Sequence, residues 1–360
     1  MKVNKINVSF MLPGRGSYPV GGFKVVYEYA NRLAAQGYQV NLVHTAWLYK
    51  ANPLVMALFR YTYFLLFYRF YTRWFKLHEN INDMWIFAPT DSSVPDADHL
   101  IATSWETSEH VASLSSKKGR KHYLIQGDET NFPHTLKLNR GERVKQTWKL
   151  PLKKIVISTW LQNLVSAVGE KSTKIFNGLD HKEFFVSKKI EERNGHTVMM
   201  LYHTAASKGC ADGLAALKRS KISHDIKVIL FGVPKRPNDL EDWIEYHQQP
   251  SREQLRTLYN RAEIFLSPSH AEGWGLPVAE AMQCGCAALT SDIPGFKDFI
   301  EDQHTGVCFR VKDALDISAK LEHLLDNPEY RKQIAMNGNI KVKDFTWDKS
   351  VEALVKHLAN

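Results

Sequence analysis

Short apolar runs of strand length alternate with stretches of helical period along this chain, and the pattern occurs twice. Near the start, Ile6-Asn7-Val8-Ser9-Phe10-Met11 has the apolar density of a buried strand, and a turn-rich stretch from Pro13 to Gly22 follows it. Val25, Val26, Tyr29 and Leu33 then recur at helical spacing over about residues 23–36, and Gly37 ends that helix before a second strand at 39–43. Strand, glycine loop, helix, strand is the opening of a parallel α/β sheet. Residues 100–103, 123–126, 155–158 and 174–177 read as further buried strands. The second half repeats the plan: a strand at 198–202, a loop carrying Lys208-Gly209, a helix from Gly213, a strand at 227–232, a helix at 252–261 and a strand at 264–266. Two successive sheets predict an α/β chain of two Rossmann-like domains facing a central cleft. A length of 360 residues suits that division, at roughly 150 residues per domain. The polar, weakly periodic stretch 187–196 reads as the linker.

Composition narrows the class of protein without naming it. With 44% hydrophobic and 24% charged residues the chain is an ordinary globular one, which excludes disorder, collagen and small disulfide scaffolds. Cys210, Cys284, Cys286 and Cys308 lack metal-type spacing and read as free thiols in a reducing compartment. Residues 1–10 hold no apolar run of signal-peptide length, so a cleaved export signal is not expected. The most apolar segment, 54–70, is interrupted by Arg60, Thr62 and Arg69 and falls short of the roughly 20 clean residues of a spanning helix. The net charge of +9 is unevenly spread: residues 1–180 hold 23 Lys+Arg against 13 Asp+Glu, and residues 181–360 hold 24 against 25. The basic surplus of the first half favours an acidic partner such as an anionic membrane, a nucleic acid or a phosphorylated acceptor.

The sharpest motif is Ser267-Pro268-Ser269-His270-Ala271-Glu272-Gly273-Trp274-Gly275-Leu276-Pro277-Val278-Ala279-Glu280-Ala281-Met282. It leaves a strand, passes two glycines and enters a helix whose first turn accepts Pro277 without losing a hydrogen bond. A helix N-terminus reached through glycines offers free N–H groups and a positive dipole end, which suit a diphosphate. Glu272 in the loop and Glu280 one turn inside the helix would be repelled by phosphate, and are suited to accepting hydrogen bonds from sugar or ribose hydroxyls. The plainer reading makes Glu280 a stabilising helix N-terminal acid and Glu272 a solvated loop residue; the combination of strand exit, glycines, proline and two carboxylates argues against it.

With these residues the chain strongly resembles the retaining glycosyltransferase family 4, of GT-B fold, whose signature is a pair of glutamates separated by seven residues. Gly21-Gly22 with Val25, Tyr29-Ala30, Leu33 and Gly37 is similar to the family's N-terminal glycine loop and first helix. Asn177-Gly178-Leu179-Asp180 with Phe184 resembles its segment near the domain junction, Lys208-Gly209 its phosphate loop, and Phe345-Thr346-Trp347 the aromatic pair before a last helix that crosses back to the N-terminal domain. The resemblance implies an acceptor-binding domain at 1–187, a nucleotide-sugar domain at 188–345 and a returning helix at 346–360. It implies that Glu272 contacts the transferred sugar and Glu280 the ribose, that Gly273, Trp274, Gly275 and Leu276 line the donor with backbone amides, and that Lys208 with Gly21 and Gly22 stabilises the diphosphate as its charge develops. No metal or other cofactor is implied.

The chain departs from the family in two places. No arginine stands in 202–207, ahead of Lys208-Gly209, so the clamp rests on Lys208 with help from an arginine elsewhere such as Arg15. Where relatives carry a histidine after an N-domain strand, this chain reads Gln126-Gly127-Asp128-Glu129; Asp128 or Glu129 is the candidate to deprotonate an acceptor hydroxyl, set against a plain role as loop carboxylates facing Lys or Arg. Asp96-x-Asp98 after Pro95 reads as a turn before a strand, in preference to the metal-binding pair of another glycosyltransferase fold.

Residues 59–75 contain 10 aromatics among 17 with no acid, together with Arg60, Arg69 and Arg73. Basic charge beside Phe64, Phe67 and Trp74 is what an interfacial membrane anchor uses, the alternative being a core helix. The run 117–154, with 11 Lys+Arg against 3 acids, carries no nucleic-acid-binding signature and favours anionic lipid or a pyrophosphate-linked acceptor. The expected protein is a metal-independent retaining enzyme, peripheral on the cytoplasmic face of the membrane. It would move a hexosyl or rhamnosyl group from a nucleoside-diphosphate sugar to a glycan or lipid-linked acceptor in lipopolysaccharide or related polysaccharide biosynthesis, with no nucleic acid partner. A sugar-nucleotide epimerase of the same fold and a catalytically silent subunit are the alternatives.

Overall fold

The computed structural model describes residues 5–14, 18–48, 54–67, 74–131, 135 and 139–360. The chain divides into two compact units, one formed by Met1–Phe176 with Asp348–Asn360 and the other by Asn177–Trp347. In the first, strands β1 (Asn7–Leu12), β2 (Gln39–Thr45), β3 (Ile81–Ile86), β4 (His99–Ala102), β5 (Arg120–Ile125), β6 (Lys153–Val156) and β7 (Ser172–Lys174) form one sheet. Its order is β3-β2-β1-β4-β5-β6-β7, with every pairing parallel. The crossovers carry helices α1 (Gly21–Ala35), α2 (Leu54–Phe67), α3 (Trp105–Ser113), α4 (Gly141–Trp148) and α5 (Thr159–Ala167).

The second unit repeats this logic with β8 (Thr197–Leu201), β9 (Lys227–Gly232), β10 (Ile244–Gln248), β11 (Ile264–Ser267), β12 (Ala287–Ser291) and β13 (Val307–Phe309). They pair in parallel in the order β10-β9-β8-β11-β12-β13. Helices α6 (Cys210–Ser223), α7 (Arg252–Arg261), α8 (Leu276–Gln283), α9 (Ala314–Asp326) and α10 (Pro328–Val342) accompany them. Val198, Met200, Val228, Leu230, Ile264, Leu266 and Leu289 on the strands join Leu217, Leu321 and Ile334 on the helices in a continuous core.

The last helix, α11 (Trp347–Ala359), returns to the first unit. Ser350 Oγ donates to the Phe176 carbonyl at 2.7 Å, and Val351, Leu354 and Leu358 are buried. The stretch 187–196 behaves differently from a free linker. Arg193 is only 2% exposed and donates to the carbonyls of Lys188, Ala262, Cys284 and Gly285 and to Asn260 Oδ1. Phe184, just ahead of it, packs on Tyr259. These contacts seal the strap to the second unit and put the division at 176/177, where the sequence suggested 187.

Much of the basic run 117–154 serves the first unit's own framework. Lys118 is buried against the Val94 carbonyl and Asp96, and Lys154 against the Leu150 carbonyl and Glu170. Lys121 donates to the carbonyls of Ala112 and Leu114 at the end of α3, and Arg143 forms a two-pronged bond to Glu109 with both distances 2.7 Å. Asp96 and Asp98 are likewise spent locally, Asp98 accepting the Asn7 N–H at 2.7 Å.

A file of three buried histidines fastens α11 to the sheet. His99 Nδ1 on β4 lies 3.2 Å from His122 Nε2 on β5, His122 Nδ1 lies 3.1 Å from His357 Nε2 on α11, and His357 Nδ1 lies 2.8 Å from Thr173 Oγ1 on β7. Burial, reinforced by neighbouring rings and by Lys153 and Arg120, holds His122 down at about 3 and His357 at about 4; burial, then Arg120, also lowers His99 against a small opposing pull from Asp98. All three folded values lie below the 6.5 of the free imidazole, so the unfolded chain binds more protons and their contribution to stability is complete above about pH 6.5 and lost as the pH falls below it. Replacing His122 by Phe should reduce the slope of unfolding free energy against pH between 6.5 and 4.5 relative to wild type, by up to about 1.4 kcal/mol per pH unit; parallel curves for the two proteins would refute the assignment.

Candidate functional site

In the second unit, the crossovers leaving β8 and β11 run toward opposite edges of the sheet, so a crevice opens between the loops at their carboxyl ends. After β8 the chain makes one 3-10 turn at Ala206–Lys208, and Gly209 then starts α6. After β11, residues 268–275 lead to Gly275, which starts α8 with no side-chain cap and no acid in its first turn. Two glycines make this geometry possible. Gly209 has φ +60, and a Cβ there would collide with the Pro268 carbonyl; Gly275 has φ +87, and a Cβ there would strike the Phe296 ring.

The two loops meet through their side chains. Lys208 Nζ lies 2.7 Å from Glu272 Oε1, and Ser269 Oγ donates to the same oxygen at 2.8 Å. The His270 N–H donates to the Ser207 carbonyl at 2.8 Å, and His270 Nε2 lies 2.7 Å from Asp212 Oδ2 in the first turn of α6. A shallow crevice is bordered by Lys208, Ser269, Glu272, Gly275 and Pro277. A half-buried ammonium, an uncapped helix N-terminus and a carboxylate side by side suit a ligand that is anionic at one end and hydroxylated at the other.

Of the residues named from the sequence, Lys208, Glu272 and Gly275 border this crevice, while Gly273 lies in the loop between them and Leu276 is the first residue of α8. Ser269, His270 and Asp212 were not singled out. The first two lie inside the motif and Asp212 four residues after Lys208, but the loop pairing that joins them is a property of the sheet order. Glu280 is buried one turn inside α8, where its charge adds to burial in raising the Tyr259 hydroxyl. The Trp274 side chain is not part of a donor surface. It is 1% exposed, with ring centroids 5.0 Å from Phe299 and 5.2 Å from Phe345, so only its backbone faces the loop.

In the first unit Gly21 and Gly22 are the opening residues of α1, which likewise has neither a side-chain cap nor a first-turn acid. The Gln126 side chain lies 3.5 Å from where a Gly22 Cβ would stand. Arg15 lies outside the described residues. The neighbouring carboxylates are engaged in local structure, and no ion pair to Lys or Arg is formed by either among the described residues. Asp128 Oδ1 accepts the Thr130 N–H at 3.1 Å and its hydroxyl, and Oδ2 accepts from Asn131 at 2.7 Å. Glu129 Oε2 accepts the Trp105 N–H at the start of α3 at 2.8 Å and the Tyr123 hydroxyl at 2.9 Å. Burial pushes Glu129 up to about 8, so it is protonated at neutral pH and does not stand ready to take a proton from an acceptor hydroxyl.

The aromatic segment divides in two. Trp74 and Phe75 pack on Tyr27, with centroids 5.6 and 5.3 Å away, and belong to the first unit's core. On α2, by contrast, Val55, Met56, Leu58, Phe59, Tyr63, Leu65 and Leu66 are exposed and Ala57 is buried. At 100° per residue the exposed set spans about half the helix circumference. Arg69 and Arg73 lie outside the described residues, as do the side chains of Arg60, Phe64 and Phe67. Among the described residues no helix is long and apolar enough to cross a membrane.

Two parallel-sheet Rossmann-like units with a returning last helix define a GT-B fold, and solved structures agree. Sucrose-phosphate synthase from Thermosynechococcus elongatus matches 98% of this chain and 98% of its own at TM-score 0.73 and 15% identity, and HepE from Anabaena, solved with UDP and glucose, matches 98% and 99% at 0.72 and 14%. Residues 182–341, nearly all of the second unit, match the family described as glycosyl transferases group 1. Among curated relatives, an O-antigen chain mannosyltransferase B of Escherichia coli is 32% identical over 30% of this chain and 28% of its own length. An N,N'-diacetylbacillosaminyl-diphospho-undecaprenol alpha-1,3-N-acetylgalactosaminyltransferase of Campylobacter jejuni is 33% identical over 25% and 24%. The match thus spans about a quarter of each relative's length.

Glu129 offers a direct check on the first unit. Its folded value of about 8 lies above the ordinary 4.5, so the stability it contributes is complete below about pH 4.5 and is lost as the pH rises toward 8. Glu129→Gln keeps the accepting oxygen and removes the charge. Thermal unfolding should show the variant gaining on wild type between pH 4.5 and 8, with the gap level above that; a gap independent of pH would show that Glu129 is not held neutral.

Proposed function

We propose that the protein is a retaining glycosyltransferase that moves a sugar from a nucleoside-diphosphate donor to a hydroxyl of a lipid-linked or polysaccharide acceptor in surface-glycan synthesis. The observation that carries this reading is the Lys208–Glu272 pair at the uncapped start of α8, supported by the group 1 family match and by the activities for which the relatives are named.

At 2.7 Å the ammonium and the carboxylate neutralise each other. A bound donor separates them: the diphosphate draws Lys208 and the first-turn amides at Leu276, and Glu272 turns to a hydroxyl of the transferred sugar, with Ser269 still donating to it. Glu280, four residues along the same helix, is assigned to the ribose. As the bond from the anomeric carbon to the diphosphate breaks, negative charge grows on the leaving oxygens, where Lys208 and the helix N-terminus are already aimed. The acceptor oxygen bonds to the same face of that carbon and its proton passes to a leaving diphosphate oxygen. This route needs no carboxylate base, in keeping with the local engagements of Asp128 and Glu129, and the fixed positive groups do the work a divalent ion would otherwise perform.

Lys208→Ala and Glu272→Ala should each lower kcat/KM by about 2–4 kcal/mol of transition-state stabilisation, and wild-type turnover should survive exhaustive chelation. Screening UDP, GDP, ADP, CMP and dTDP sugars by thermal shift identifies the donor to use. Undiminished turnover in both variants would remove the site from the mechanism.

The exposed apolar face of α2 is assigned to the cytoplasmic surface of the membrane, where a lipid-linked acceptor resides; a helix of 14 residues lies on such a surface and does not span it. Phe59→Asp combined with Leu66→Asp, both at exposed positions, should abolish sedimentation with phosphatidylglycerol vesicles while leaving Tm unchanged. Vesicle binding equal to wild type would refute the assignment.

A further inference from the structure

Three ties join the loop after β8 to the loop after β11: the Lys208–Glu272 ion pair, the His270 N–H to Ser207 carbonyl bond, and the His270 Nε2–Asp212 Oδ2 contact. The first is the tie that the diphosphate competes for if the donor takes Lys208, because the ammonium 2.7 Å from Glu272 is then drawn to a second anion. At the moment of donor binding the two loops are therefore held by the remaining pair of ties. Only one of these joins two side chains. Its anchor points are well chosen for the purpose, since Asp212 stands in the first turn of α6, the helix that begins two residues after Lys208, and His270 stands two residues before Glu272. The packing beneath it is tight, a Cβ on Gly209 lying 3.0 Å from His270 Nε2.

We propose that His270 and Asp212 are positioning residues that keep the Lys208 ammonium aimed at the donor diphosphate once its pairing with Glu272 is broken; this rests on the reading of Lys208 as the diphosphate ligand. His270 donates from Nε2 to the carboxylate, and neither residue touches the donor. Their effect passes through Lys208, so it disappears when Lys208 is absent. A generally structural pair would instead weaken the site by the same factor whether or not Lys208 is there.

A double-mutant cycle separates these cases. The intact wild-type chain, Asp212→Ala, His270→Ala, Lys208→Ala and the Asp212→Ala/Lys208→Ala double variant are each titrated with UDP, GDP, ADP and dTDP by calorimetry, with Tm recorded for each. Asp212→Ala and His270→Ala should each weaken the preferred nucleotide about tenfold, and the double variant should bind no worse than Lys208→Ala alone. His270→Gln, which can still donate to Asp212, should restore most of the loss in affinity. Full additivity in the double variant, or wild-type affinity in both single variants, would overturn the positioning role while leaving Lys208 in place. Wild-type affinity in Lys208→Ala would instead overturn the diphosphate assignment itself, and this proposal with it. A variant that loses Tm as well as affinity is decided by the glutamine substitution: failure to recover affinity in a stable His270→Gln protein counts against the proposal.

Discussion

The crevice between the loops after β8 and β11 depends on an ammonium and a carboxylate held 2.7 Å apart in partial contact with water. Such a pair contributes little to stability, about 0–1 kcal/mol when it is largely solvated, so it does not hold the unit together. The dependence runs the other way. Two adjacent parallel strands, buried on both faces, deliver their carboxyl ends to the same place, and two left-handed glycines let the outgoing loops approach more closely than any side chain would allow. What the sheet supplies is a fixed separation between a positive and a negative group, and fixed separation is what a charge-developing reaction can use.

The sequence makes some of this arrangement legible and hides the rest for physical reasons. Centrally placed strands such as β8 and β9 are apolar over nearly their whole length because both of their faces are covered, and they stand out as strand-length runs. Strands β3 and β10 do not: Ile81-Asn82-Asp83-Met84-Trp85-Ile86 and Ile244-Glu245-Tyr246-His247-Gln248 lie at sheet edges, where mixed polarity is tolerated, and their pattern resembles loop. Strand β12, Ala287-Ala288-Leu289-Thr290-Ser291, is fully buried yet built of small residues with weak strand preference. At the site, Lys208 and Glu272 could be named because each sits in a local motif. Asp212 could not, because its partner His270 is 58 residues away and the two meet only through the order of strands in the sheet.

The same distinction explains which sequence assignments changed. Trp274 and Glu129 stand beside functional segments in the sequence, and proximity suggested roles for both. In the fold Trp274 wedges between Phe299 and Phe345 and so braces the loop from behind, while Glu129 stitches the start of α3 to Tyr123 on β5. Each supports the geometry of its unit from beneath the surface. A residue one position away from an exposed backbone turn points into the core as often as out of it, and sequence spacing alone does not settle which.

Net charge needs the same correction. The first half of the chain carries the basic surplus, and a uniformly charged face would attract an anionic surface over about 10 Å at ordinary ionic strength. Lys118, Lys121, Lys154 and Arg143, however, are bonded to carbonyls and carboxylates of their own unit, with the first three donating to backbone oxygens near the sheet and helix ends. Side chains tied down in this way brace their own unit and are not free to reach an anionic partner, whatever the sign of the net charge. The apolar face of α2 is not matched by anything among the described residues, and transfer of exposed Phe, Leu and Val from water is favourable by roughly 25 cal/mol per Å² buried. A surface that must find a membrane is therefore better read from the side chains a fold leaves uncovered than from the sign of its total charge.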